Sequence, residues 1–83
     1  MKTLDKELRK KFSQKIGDRL RKARFRKGYL QEEIAKMLGM SAVGYGSYER
    51  GDNDIPTFII YQLSKILDIS ADWLFRDENN DTD

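Results

Sequence analysis

The chain has 83 residues, enough for one domain and too few for two. A domain this small buries only about 60% of the surface its unfolded chain exposes. It contains no cysteine and no histidine, which excludes a disulfide framework and a thiolate metal site and removes the commonest metal ligand and general base. No apolar run approaches the ~20 residues needed to span a bilayer, and the charged N-terminus lacks a signal-peptide core, so a cytoplasmic chain without metal or cofactor is expected. The net charge of +2 hides an asymmetry: residues 1–28 hold twelve Lys/Arg against three acids, and the remainder holds four against eleven. A basic end suits a polyanionic partner or forms a solvated helix face.

Residues 1–27 are expected to be helical. Leu4, Leu8 and Phe12 recur every four residues, and Ile16, Leu20 and Ala23 carry the stripe onward. Ser13 can cap a separate start, which leaves three arrangements open for the first dozen residues: a distinct helix, a continuation, or a frayed end. The Leu4-Leu8-Phe12 edge packs either on the domain's own surface or on a second subunit. Gly28 closes this helix. A second helix is expected from Gln31 to Leu38, with Ile34, Ala35 and Leu38 on one apolar face. Gly39 can take the left-handed conformation that ends it. Ser41 is a good N-cap for a third helix, Ala42 to Arg50, with Tyr45 and Tyr48 inward and Gly51 just beyond its end. Ala35 has no side chain beyond Cβ, so the third helix can cross close over it. Asp52-Asn53-Asp54 forms a turn cluster, and a fourth helix runs from Pro56 to Leu67 on a face of Ile60, Leu63 and Leu67. Ser70 caps a short fifth helix, Ala71 to Phe75. Residues 77–83 are expected to be an acidic, disordered tail.

Two short helices joined by a glycine-containing turn, the second crossing the first steeply, make a helix-turn-helix. The run Gln-Glu-Glu-Ile-Ala-x-x-Leu-Gly-x-Ser at residues 31–41, followed by Tyr48-Glu49-Arg50-Gly51, resembles the phage-repressor and Cro-type (Xre) helix-turn-helix family. The resemblance extends from Phe12 to Phe75, taking in Ile-Gly-x-Arg-Leu-Arg at residues 16–21 and Ile-Ser-Ala-Asp-Trp-Leu-Phe at residues 69–75. It implies an all-α, five-helix lambda-repressor-like DNA-binding domain over residues 12–76, with residues 1–11 a basic helical N-terminal extension. One departure is Leu30, where the family has a capping Ser or Thr that pairs with the acid at Glu33. Its loss costs helix 2 about 1 kcal/mol, and Tyr29 and Leu30 are expected to compensate as buried apolar contacts.

The resemblance further implies a sequence-specific, non-enzymatic transcriptional regulator. It would act as a repressor and bind double-stranded DNA as a homodimer on a pseudo-palindromic operator, nucleoid-associated when bound. The DNA-facing set is then Gln31, Lys36, Ser41, Ala42, Val43, Gly44, Gly46, Ser47 and Arg50. Gln31 matches a glutamine that touches phosphate and braces the recognition helix, and Lys36 is either a phosphate contact or a plain solubilising residue. Relatives place Gln, Arg, Ser, Thr or Asn at several outward positions of helix 3, because base edges are read by hydrogen bonds. Here Ala42 and Val43 offer only methyl groups, and Ser47 is the one short hydrogen-bonding side chain. Gly44 and Gly46 each cost about 1 kcal/mol of helix stability relative to alanine. Either they let the backbone approach DNA or relieve crowding by Tyr45, or the surface has lost base reading. Arg24 and Glu49 match a partly buried ion pair joining helix 1 to helix 3; a glutamate at a helix C-terminus opposes the dipole and implies a specific partner. Trp73, Leu74 and Phe75 are either core or the dimer contact. The apolar Ala42-Val43 surface and the acidic turn leave a rival class open: a protein-interaction module, antitoxin-like or antirepressor-like, gripping a protein partner with the same fold.

Overall fold

The computed structural model describes residues 2–77, with side chains from residue 5 onward. It is all-helical over that range: α1 (Lys2–Lys27), α2 (Gln31–Leu38), α3 (Ala42–Arg50), α4 (Thr57–Leu67) and α5 (Ala71–Phe75). The Leu4 side chain and the acidic residues 78–83, on which most of the expected disordered tail falls, lie outside the described residues.

Of the three arrangements open for the N-terminus, continuation holds. α1 runs unbroken for 26 residues, and at ~1.5 Å rise per residue it spans the 38 Å long dimension of the molecule. Ser13 is therefore interior to the helix, and it is buried. The other helices pack on the C-terminal two thirds of α1, because the apolar stripe is buried only from Ile16, through Leu20 and Ala23. Residues 5–12 are exposed throughout and form an arm that touches the rest of the molecule where Arg9 meets Asp54 at 3.4 Å and Phe12 stacks on Phe75 at 5.9 Å. Ile34 and Ala35 of α2, Tyr45 of α3, Leu63 and Leu67 of α4 and Leu74 of α5 complete the core.

Helix ends follow the local chemistry. α2 starts without a side-chain cap at Leu30, but half of the capping box survives: the Leu30 N–H donates to Glu33 Oε1 at 2.8 Å. Tyr29 packs partly buried against the core. Leu30 does not: it is exposed, since its cap position lies at the outer corner of the turn, and the expected apolar compensation falls to Tyr29 alone. Ser41 Oγ accepts from the Gly44 N–H at 3.0 Å and Ser70 Oγ from the Trp73 N–H at 3.0 Å, each satisfying an amide that the first turn of a helix leaves orphaned. Pro56 stands at the N-cap of α4, one residue outside the helix.

Leu74 is 1% exposed and belongs to the core, not to a surface that a second copy could reach. Its side chain packs into the apolar core, and Arg19 fixes the end of the helix that carries it: Nη1 donates to the carbonyls of Trp73, Leu74 and Arg76 at 2.8, 3.2 and 2.6 Å. A cation at a helix C-terminus satisfies the last carbonyls and offsets the dipole. Arg19 thus clamps α5 onto α1 and is buried, not part of an exposed basic face.

Candidate nucleic-acid interface

The α2-turn-α3 unit is built around a contact between backbones. α3 crosses α1 so closely that a Cβ on Gly17 would lie 2.3 Å from the Glu49 carbonyl oxygen and 2.5 Å from that of Tyr48. At the other side of the crossing, a Cβ on Gly51 would lie 2.9 Å from the Gln14 amide nitrogen, and Gly51 also has φ 79°. No side chain fits either place. The family-like run at residues 16–21 contains Gly17, but only the crossing reveals its task; the available signal was a glycine inside a helix, where it costs stability.

Beside this contact lies a buried polar network. Arg24 Nε donates to Glu49 Oε2 at 2.7 Å, and Arg24 Nη2 to Oε1 at 2.9 Å. The two side chains are 8% and 2% exposed. Arg24 Nη1 also donates to the Tyr29 carbonyl at 2.9 Å, and Gln31 Nε2 donates to Glu49 Oε1 at 3.0 Å. The Glu49 carboxylate therefore ties α3 to α1 and α2, and Arg24 brings in the α1–α2 turn through the Tyr29 carbonyl. Burial acts to raise the Glu49 pKa, but the hydrogen bonds led by Arg24, with its charge, outweigh it and hold the carboxyl below its ordinary value of 4.5. The hydrogen bond to Glu49 likewise leads the upward shift of Arg24. Tyr45 is fully buried; its hydroxyl finds no partner at hydrogen-bonding geometry, and burial and the nearby carboxylate push the phenol up.

The surface this scaffold presents is narrower than the expected set. Ala42 and Val43 are exposed in the first turn of α3, Val43 at 78%. Ser41 and Lys36 are exposed, Gln31 and Gly44 half-buried, and Arg50 exposed but paired with Asp52 at 2.9 Å. Ser47 does not face outward. It is buried, donating from Oγ to the Gly44 carbonyl at 2.6 Å and accepting from Asn53 Nδ2 at 2.9 Å. Gly46 is buried as well: a Cβ there would meet Arg50 Nη1 at 3.2 Å and Gln31 Oε1 at 3.5 Å. The outward assignment assumed a single inward stripe of Tyr45 and Tyr48. In fact α1, α2 and the 52–54 turn close on α3 from three sides, and Tyr48 is only half-buried, edge-on to Tyr45 at 6.4 Å. The crowding that Gly46 relieves comes from Gln31 and Arg50, not from Tyr45. Asn53, read only as a turn residue, holds Ser47 in place.

A short helix braced from beneath, offering one exposed first turn beside the N-terminus of the preceding helix, is the geometry of a helix-turn-helix that enters a groove. The Helix-turn-helix family matches residues 20–74, and the chain belongs to this family of DNA-binding transcriptional regulators, which are not enzymes. Over 61 residues it is 41% identical to the SPbeta prophage-derived uncharacterized HTH-type transcriptional regulator YonR of Bacillus subtilis (74% of this chain, 56% of the relative). It is 38% identical over 65 residues to the HTH-type transcriptional regulator DicA of Escherichia coli (77% and 48%). The chain thus spans about half the length of these curated relatives. The crystal structure of the restriction-modification controller protein C.AhdI from Aeromonas hydrophila superposes with a TM-score of 0.68 at 37% identity, covering 75% of this chain and 90% of that one. No helix among the described residues is long and apolar enough to cross a membrane.

Proposed function

We propose that the chain is a cytoplasmic, dimeric repressor that binds a pseudo-palindromic operator through residues 12–76, with α3 of each copy in the major groove and residues 1–11 an extension. Twofold-related copies of α3 would stand about 34 Å apart, one turn of duplex. The observation that carries this reading is the exposed Ala42-Val43 turn at the start of a helix that the buried Arg24–Glu49 pair and the half-buried Gln31 brace from behind. Its methyl groups suit thymine C5-methyls, and Gln31 and Lys36 flank it as phosphate contacts. Asp52, which would repel phosphate, is partly neutralised by Arg50.

Selection of duplexes from a random pool at low salt, with the purified chain, tests the proposal. An enriched motif with twofold symmetry, lost by Val43→Asp, is the expected result. Failure to enrich any motif, together with retained binding to a co-purifying protein, would replace the repressor by the interaction-module reading.

A further inference from the structure

We propose that Arg50 supplies the hydrogen-bonding base contact that the first turn of α3 lacks, reading a guanine in the major groove, with Asp52 and the vacant side-chain position at Gly46 setting its aim. The inference rests on the operator-binding reading above and adds one base that the operator must contain. Ala42 and Val43 offer methyl groups, and Ser47 is buried with its hydroxyl engaged both as donor and as acceptor. Left to those residues, the helix could meet thymine methyls but could not recognise a G·C pair by hydrogen bonds.

Three features point to Arg50. First, Val43, Gly46 and Arg50 follow the i, i+3, i+7 spacing of one helix face, so the arginine shares the stripe of the exposed first turn. Secondly, its side chain does not trail off the end of α3. Nη1 lies 3.2 Å from where a Cβ on Gly46 would stand, so the chain runs back along the helix and lays its guanidinium over the glycine. Gln31 walls the other side, with Oε1 at 3.5 Å from the same point. A side chain at position 46 would compete for the place that the guanidinium takes. Thirdly, Asp52 braces the cation without consuming it. Asp52 Oδ2 accepts from Arg50 Nε at 2.9 Å, which occupies the side edge of the guanidinium. Among the described residues the end edge, Nη1 and Nη2, donates to nothing. Two parallel donors on a planar fork match O6 and N7 of guanine, and a brace that orders them beforehand lowers the entropy lost on docking. The same carboxylate counts against a phosphate as the target, because its negative charge repels a phosphate, whereas a guanine edge is neutral.

The test measures binding of the full chain and three variants to duplexes selected from a random pool, with circular dichroism melts to check folding. The selected motif should contain a guanine whose replacement by adenine weakens parent binding about tenfold, and whose replacement by its deaza analogue, which lacks N7, also weakens it. Arg50→Ala should erase that preference and keep the preferences at other positions. Asp52→Ala should bind every duplex more tightly, having lost a negative charge, and yet distinguish guanine from adenine less well. A merely structural role for Asp52 would lower affinity and leave the choice of base alone. Gly46→Ala should keep or raise the melting temperature, because the atom it meets is the far end of a flexible side chain, and should lose the guanine preference. An Arg50→Ala variant that weakens all duplexes equally and retains the preference makes the arginine a phosphate contact and overturns the assignment alone. A selected motif without guanine, or discrimination that survives Asp52→Ala and Gly46→Ala, does the same. A pool from which no motif is enriched overturns the operator reading and the guanine contact together.

Discussion

Glu49 is where three helices meet, α3 with α1 through Arg24 and with α2 through Gln31. Replacing Glu49 with alanine leaves the Arg24 guanidinium buried without its partner, and the expected loss is about 3–5 kcal/mol in a urea melt. The pH dependence has a definite sign. A carboxyl held below its ordinary value contributes stability that is present above pH 4.5 and is lost as the pH falls through the folded-state value. Glu49→Gln should therefore flatten the acid limb of the stability curve below about pH 4.5, and an unchanged limb would show that other carboxylates govern it. Arg24, whose guanidinium is pushed up still further by its hydrogen bond to Glu49, stays charged throughout and contributes no pH dependence in the working range. Gly17→Ala acts through space rather than charge. Its methyl group would press on two carbonyls of α3, which are backbone and cannot swing aside. Overpacking of this kind costs about 1–3 kcal/mol or more, against a gain of about 1 kcal/mol in helix propensity. A melting temperature that rises in Gly17→Ala would contradict the crossing described.

At the scale of the element, α3 divides into a first turn that meets solvent and a remainder that meets protein. Val43→Asp should abolish operator binding and leave the melting temperature within a few degrees, because Val43 is 78% exposed. Ser47→Ala should do the opposite. It removes the partner of Asn53 Nδ2 and should cost about 0.5–1.5 kcal/mol, with specific binding reduced only as stability is. Gly44→Ala would bring a Cβ 3.0 Å from Met40 Cε and 3.2 Å from Ser41 Oγ. The methionine end is flexible and can yield, so the helix should gain stability, and an accompanying loss of affinity would reveal close backbone approach to DNA. Helix boundaries were legible in the sequence because glycines, serine caps and apolar spacing mark them locally. Which side of α3 is covered was not legible. A nine-residue helix wedged among α1, α2 and a returning turn has no single buried stripe, and nothing local to residues 42–50 announces Gly17 or Asn53. Leu30 and Leu74 illustrate the same gap from either side, one apolar residue left outside and one taken into the core on a helix end held by an arginine fifty-five positions away.

For the whole molecule, sequence charge overstates the cations available to a polyanion. Arg19 and Arg24 are buried, and Arg9 and Arg50 pair with acids. Operator affinity should still fall steeply with salt, by a slope of about −0.9 per neutralised phosphate. Lys36→Ala should reduce that slope by about one for each copy bound and weaken all sequences alike. An unchanged slope would remove Lys36 from the phosphate contacts. The backbone contact at Gly17 and Gly51 also bears on how the molecule opens. Because α1 and α3 touch at their main chains, neither can loosen without separating from the other. Amides of Ser13–Gly17 and of Tyr48–Gly51 should therefore exchange with deuterium at one common rate, through global unfolding, while those of the arm exchange through local openings. The helix assigned to the operator would then be among the last parts of the chain to come undone, and it would dock with little ordering left to do.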